Sequence, residues 1–312
     1  MISGGGAEAA AEVAADLAAS RLVPGAPGRA PGATPFGARL RAAMDDHGPL
    51  CVGIDPHDAL LAAWGLPSTV AGLERFAATC VEAFAGRVAC VKPQSAFFER
   101  FGSAGVAVLE RTLADLREAG TLSLLDAKRG DIGSTMAAYA QAYLGEDSPL
   151  RADAVTLSPF LGYESLRPAL DQAAATGRGV FVLALTSNPE GASVQHAMLD
   201  RRSVAGRVVD GVTADNAGAR PLGSVGMVVG ATVGTAVQEL ALDLAAANAP
   251  LLAPGVGAQG GTAESLRAVF GEALGNVLAS SSREVLGAGP DVAALAAAAR
   301  DTADRLAGDL RG

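Results

Sequence analysis

The run LSLLDAKRGD at residues 122–131 decides how the chain is read. Its first part, Leu122 to Asp126, has the length and apolar content of a buried strand. It runs straight into a charged turn made of Asp126, Ala127, Lys128, Arg129, Gly130 and Asp131. A helical pattern follows, beginning near Ser134. Strand, polar turn and helix in that order make half of a parallel βαβ unit. The same succession recurs along the chain. Candidate strands lie at Leu50–Ile54, Val88–Lys92, Leu122–Asp126, Ala154–Leu157, Gly179–Leu185, Val225–Val229, Pro250–Ala253 and Asn276–Ala279. Eight such strands separated by helical stretches predict a parallel sheet closed on itself, an α/β fold of the (β/α)8 TIM-barrel type in a single domain. An open doubly wound sheet is the alternative that the same alternation allows.

Composition sets the outer limits. The chain has 312 residues, half of them apolar, enough for one barrel of about 250 residues. Residues 1–34 are rich in Ala, Gly and Pro and end in VPGAPGRAPGAT. They are expected to be disordered or weakly helical, outside a barrel domain spanning 35–312. The Gly/Ser/Asp-rich stretch near 210–224 is read as a loop at a helix end rather than a domain boundary. A net charge of −9 without a basic run argues against binding to nucleic acid or to an anionic membrane. No run of about twenty apolar residues marks a membrane span, and the N-terminus carries acids where a signal peptide carries bases. Cys51, Cys80 and Cys90 form no CxxC pair, and His47, His57 and His196 are scattered, so no metal site is expected. Unpaired thiols suit a reducing compartment, and a cytoplasmic protein is expected.

Of the 24 basic residues only two, Lys92 and Lys128, are lysines. Arginine scarcely gives up a proton, whereas a lysine ammonium can be tuned to donate one. Both lysines fall at the C-terminal ends of candidate strands, the face on which barrels carry their active sites. Asp126 and Lys128 are two apart and should point the same way from a strand. With Lys92 on the neighbouring strand and Asp131 in the turn, the chain can build an alternating array of Lys92, Asp126, Lys128 and Asp131. A buried ion-pair network, with Asp131 capping a helix, is the structural alternative. Farther on, the glycines of PGVGAQGG (254–261), with Gln259 and Gly260 among them, let backbone N–H groups approach an anion. Arg283 could grip two oxygens of a phosphate. An ordinary glycine turn and a surface arginine are the plainer reading.

DAKRGDI, from Asp126 to Ile132, resembles the Asp-x-Lys-x-x-Asp-Ile motif of the orotidine 5'-phosphate decarboxylases. VGIDPH (52–57), VKPQSAFFE (91–99), TSNPEG (186–191), APGVGAQGG (253–261) and SREVLGAGP (282–290) are similar to further motifs of the longer-loop bacterial branch, in the right order. The resemblance runs from Phe36 to the C-terminal helix. It departs at Ser158-Pro159-Phe160, where relatives tend to carry Asn-Pro-Tyr, and in residues 1–34, which have no counterpart.

This resemblance implies conversion of orotidine 5'-phosphate to UMP and CO2 without metal or organic cofactor. It implies that Asp55 binds ribose hydroxyls, that Lys92 joins the charge network and the ribose, and that Asp126 lies beside the substrate carboxylate. Lys128 is the proton donor to C6 of the pyrimidine. Ser187 holds the pyrimidine edge, and Gln259, Gly260 and Arg283 hold the phosphate. Asp131 and Thr135 complete the partner's site in a homodimer. Three other readings stay open on the residues alone: a metal-dependent sugar-phosphate decarboxylase or aldol enzyme on the same barrel, a Schiff-base aldolase using either lysine, and a non-catalytic binder of phosphate ligands.

Overall fold

Side chains alternate inward and outward along every strand, and that alternation divides the apolar residues into two cores. The computed structural model describes residues 34–256 and 261–310. The expected extension over 1–34 therefore lies outside the described residues, apart from its last member. The parallel strands are β1 (Leu50–Ile54), β2 (Cys90–Pro93), β3 (Leu124–Arg129), β4 (Ala154–Leu157), β5 (Gly179–Leu185), β6 (Val225–Val229), β7 (Leu251–Pro254) and β8 (Val277–Ser281). They are hydrogen-bonded in the order β2-β1-β8-β7-β6-β5-β4-β3. Bridges from Val91 to Ser123 and from Gln94 to Asp126 join β2 to β3, so the sheet closes. The chain is a (β/α)8 barrel, and the open doubly wound alternative falls with that closure.

The larger helices are α1 (Phe36–His47), α2 (Val70–Phe84), α3 (Gly102–Glu118), α4 (Gly133–Leu144), α5 (Arg167–Thr176), α6 (Val204–Asp215), α7 (Ala263–Phe270) and α8 (Val292–Leu310). Between β6 and β7 the crossover carries just the short helix Ala236–Glu239 and turns. The stretch near 210–224, expected to be a loop, is helical through Asp215. Val208, Val209 and Val212 form a buried stripe that holds it to the barrel, and such tertiary burial overrides the weak helix propensity of glycine.

One core packs the outer faces of the strands against the helices. The other fills the barrel and takes one inward residue from each strand: Cys51, Cys90, Leu124, Ala154, Phe181, Val228, Leu252 and Leu278. Helix α1 closes this inner core from below with Phe36, Leu40 and Met44. Phe36 meets Phe181 edge-to-face, with centroids 6.0 Å apart. A Cβ on Gly179 would lie 2.3 Å from the Phe36 ring, so only glycine admits the plug there. Burying these side chains of α1 contributes about 1.5–3 kcal/mol apiece. An ion pair from Arg39 to Asp153 at 2.5 Å ties the helix to the start of β4. With the lower half of the barrel filled by apolar side chains, polar groups higher on the same inward rows face the open end.

Candidate active site

Two residues above the apolar plug, the inward rows of β2, β3 and β4 carry Lys92, Asp126 and Thr156, all buried. Asp126 is the hub. Its Oδ2 accepts from Lys92 Nζ at 3.1 Å, and its Oδ1 from Lys128 Nζ at 2.6 Å and from Thr156 Oγ1 at 2.8 Å. The amide nitrogen of Gln94, in the orientation that satisfies its neighbours, donates to Oδ2 at 2.7 Å and to the Asp126 main-chain oxygen at 2.9 Å. Both oxygens of a buried carboxylate are thus saturated, two of the four donors being cations. Lys92 also faces Asp55, whose Oδ1 lies 3.9 Å from Nζ. That oxygen is buried and has no hydrogen-bond partner among the described residues.

Burial alone would raise the Asp126 pKa, but the ammonium groups of Lys92 and Lys128 and the Thr156 hydroxyl outweigh it and hold the carboxyl at about 2. Burial likewise works against the charge on Lys92, and the carboxylates of Asp55 and Asp126 reverse the balance and push its pKa above the ordinary 10.5. These shifts carry a stability consequence. The Asp126 carboxyl titrates lower folded than at its ordinary 3.8, so its contribution is fully present above about pH 4 and is lost as pH falls through about 2. The expected loss is roughly 2 kcal/mol. Denaturant unfolding at a series of acid pH values should show it, with a flatter profile in Asp126→Asn; identical profiles would remove the assignment.

The third strand does not follow simple alternation. Leu125 pairs with Val155 and Arg129 with Leu157, so three residues of β3 stand opposite Thr156 alone. Lys128 adopts a left-handed backbone, φ 47°. Its ammonium reaches Asp126 from this bulge, not from an inward position on a regular strand as the two-residue spacing implied. Gly130 ends the bulge where a Cβ would meet Ser158 O at 2.2 Å, and Ser158 N donates to Arg129 O at 2.7 Å. The glycine of the DAKRGDI motif therefore lets the ends of β3 and β4 touch.

The charged row forms one wall of a cavity of about 900 Å³ at the C-terminal ends of the strands. Asp55, Lys92, Asp126 and Lys128 line it, with Leu183, Leu185, Val228 and Pro254 as apolar surface, and Ser187 and Arg283 also contribute. Volume and mixed lining suit a small polar molecule with an apolar face. Gln259 and Gly260, expected to bind phosphate, lie outside the described residues. Asp131 and Thr135 do not line the cavity of their own chain. Asp131 accepts the neighbouring Ile132 N–H at 2.8 Å, and the residue before α4 is Ile132, so Asp131 is not that helix's cap. Within one chain the four-charge array is therefore Asp55, Lys92, Asp126 and Lys128, with Asp131 standing apart, because the bulge and Gly130 turn the chain outward before it.

Sequence reading missed Thr156 and Gln94. Both carried a signal: Gln94 follows Lys92 by two, and Thr156 is a polar residue inside the apolar run AVTL. Among the described residues no three His, Cys, Asp or Glu side chains converge as metal ligands. No helix among them is long and apolar enough to cross a membrane.

Residues 48–298 match the model of the orotidine 5'-phosphate decarboxylase / HUMPS family. The chain is 65% identical over 277 residues to an orotidine 5'-phosphate decarboxylase of Salinispora arenicola, covering 88% of this chain and 97% of the relative. It is 61% identical to the Streptomyces coelicolor enzyme of the same name over 278 residues, 89% of this chain and 97% of that one. A crystal structure of a Streptomyces avermitilis protein assigned to the same enzyme superposes with a TM-score of 0.86 at 59% identity, covering 89% of this chain and 97% of the other. The Leishmania donovani OMP decarboxylase superposes with a TM-score of 0.69 at 30% identity, covering 89% of this chain and all of the other.

Proposed function

This chain belongs to the orotidine 5'-phosphate decarboxylase / HUMPS family, and from that premise we propose how its cavity removes CO2 from orotidine 5'-phosphate to give UMP in pyrimidine biosynthesis. The enzyme is a carboxy-lyase. The observation that carries the mechanism is the line Asp55–Lys92–Asp126–Lys128, with successive contacts of 3.9, 3.1 and 2.6 Å on one wall of the cavity.

Breaking the bond from C6 to the carboxylate leaves its electron pair at C6, in the ring plane, where the π system does not delocalise it. A fixed positive charge at that point stabilises the pair as it develops. Lys128 is the cation placed to supply it. Its side chain is 44% exposed to the cavity, whereas that of Lys92 is 7% exposed and is held between two carboxylates. In this reading CO2 leaves, the Lys128 ammonium transfers a proton to C6, and solvent reprotonates the amine. Asp126 holds the ammonium in place and lies beside the departing carboxylate. The unpartnered Asp55 oxygen accepts a ribose hydroxyl, and Lys92 supports it. Ser187 meets the pyrimidine edge. Arg283, at the start of the short helix Arg283–Leu286, holds the phosphate together with Gln259 and Gly260. Phosphate binding far from C6 supplies energy for holding the base against the charged wall.

Asp131 and Thr135 act, in the same reading, in the cavity of a second copy. Their support is position: neither lines its own cavity, they lie close in sequence to the exposed Ile132, and the loop after β4, which meets Gly130 at Ser158, exposes Phe160 and Leu161. Sedimentation as a monomer at micromolar concentration would refute this shared site. Three free thiols support a cytoplasmic location.

The activity is tested by incubating purified protein with orotidine 5'-phosphate and following the loss of substrate ultraviolet absorbance, with and without EDTA. Turnover that survives EDTA is expected. Turnover abolished by EDTA would instead favour a metal-dependent enzyme on this barrel, and no turnover in either arm would overturn the proposal.

A further inference from the structure

We infer that Thr156 is a positioning residue for the proton donor: its one hydroxyl fixes the bulged backbone of Lys128 and the carboxylate that Lys128 grips. The inference rests on the decarboxylase reading above and adds a residue to its machinery.

The hydroxyl is used twice. Thr156 Oγ1 accepts the main-chain N–H of Lys128 at 2.9 Å and donates to Asp126 Oδ1 at 2.8 Å. Thr156 is fully buried, so water does not replace either partner. The need for it follows from the register. Opposite Thr156, β3 spends three residues, Asp126, Ala127 and Lys128, where a regular ladder would spend one. A bulge of this kind leaves main-chain donors without ladder partners. One of them is the N–H of Lys128, and the threonine side chain supplies the missing acceptor. Lys128 has φ 47°, a region that non-glycine residues rarely occupy and that persists where surrounding contacts impose it. On the other side of the bulge Arg129 Nη1 donates to Ala127 O at 2.9 Å, while its other terminal nitrogen pairs with Glu99. The two braces differ in reach: Arg129 holds the backbone alone, whereas Thr156 couples backbone and carboxylate through one oxygen atom.

The chemical consequence concerns alignment. An ammonium on a long, half-exposed side chain has many rotamers, and its position over C6 depends on where its backbone starts and where Asp126 directs its tip. Thr156 fixes both ends. Removing the hydroxyl leaves the substrate's phosphate and ribose contacts untouched, so the defect belongs in kcat rather than KM.

The test uses the full chain as wild type, Thr156→Val and Thr156→Ser. Valine keeps the shape and loses the hydroxyl; serine keeps the hydroxyl and loses the methyl. Thr156→Val should lower kcat on the order of ten- to a hundredfold, the loss expected for hydrogen bonds to charged and buried groups. KM should change little, and Thr156→Ser should restore most of the rate. Hydrogen exchange of the Lys128 amide is followed in the same proteins and should quicken in the valine variant alone. Wild-type turnover together with an unimpaired valine variant would overturn the inference, and so would a serine variant as slow as valine. Absence of turnover in the wild type would overturn the activity instead, and amide exchange would still decide the hydroxyl's role. Should the valine variant fail to fold, Thr156→Cys takes its place, with a weak thiol donor and the same deciding outcomes.

Discussion

Lys128→Ala is expected to fold and to lose at least about 10⁴-fold in kcat/KM for orotidine 5'-phosphate, the combined scale of a missing general acid and a missing charge at the reacting carbon. Among the described residues no other lysine or arginine on the cavity wall is placed to substitute. The chain's other lysine is enclosed by Asp55 and Asp126, and the arginine on the cavity wall, Arg283, is a poor proton donor. Stability should change far less, because an ion pair with one partly exposed partner contributes little, on the order of 1 kcal/mol or less. The left-handed backbone sharpens the test. At φ 47° any residue with a Cβ carries about 1–2 kcal/mol of strain that glycine avoids. Lys128→Gly should therefore be as inactive as Lys128→Ala and yet unfold at higher temperature. Turnover near wild type in either variant would end the assignment of the proton donor. An alanine variant more stable than the glycine one would refute the strain at 128.

Lys92→Met should have the opposite profile, with the larger effect on folding. The lysine is buried between two carboxylates, and removing one member of a buried charge group leaves the others uncompensated at a cost of about 3–5 kcal/mol. For a domain of this size that lowers Tm by roughly 10 °C. Asp126 keeps Lys128, Thr156 and Gln94 as donors, but Asp55 Oδ1, already without a hydrogen-bond partner, loses its nearest cation. The carboxyl of Asp126 also loses the attraction that does most to depress its pKa. With a smaller depression less stability is lost on acidification, so the variant's stability should fall less steeply than that of wild type between about pH 4 and 2. Neutralising the partner as well, in Lys92→Met/Asp126→Asn, should recover part of the lost stability, though not the activity. Thermal denaturation of the single and double variants decides the matter: a single variant within about 1 kcal/mol of wild type would show that the buried lysine is not held by the array.

The contrast between the two lysines is not visible in the sequence. Both stand at strand ends, and spacing alone treats them alike. What separates them is depth. Lys92 lies on a regular inward row two residues above Cys90, within the barrel, while Lys128 sits on a bulge at the rim. Residue identity and period specify a row; they do not say where the row gives way to open space, because that depends on how the strands are staggered around the barrel.

Four of the strands, at Leu50–Ile54, Ala154–Leu157, Gly179–Leu185 and Val225–Val229, lie where the apolar runs placed them. The other four are displaced by one to three residues toward their C-terminal ends at both boundaries. Those displacements fall at the site, where Pro93, Ala127, Lys128, Arg129, Pro254, Ser280 and Ser281 extend the ladders beyond the apolar runs. Lys128 and Arg129 read as turn residues because unpaired charges are costly to bury; in the folded barrel they pair with Asp126 and Glu99, and the strand continues through them.

Residue order alone was enough for eight alternating strand–helix units and for the placement of both lysines at strand C-terminal ends, since apolar period and strand spacing are local properties; closure of the barrel was decided by the bridges between β2 and β3. The assembled barrel was needed to show that Asp55, rather than Asp131, is the second carboxylate of the array within one chain, and that Gln94 and Thr156 hold Asp126. It was needed, too, to show that Lys128 reaches its partner from a left-handed bulge. Those facts depend on register between strands far apart in the chain, where a single extra residue redirects every side chain beyond it.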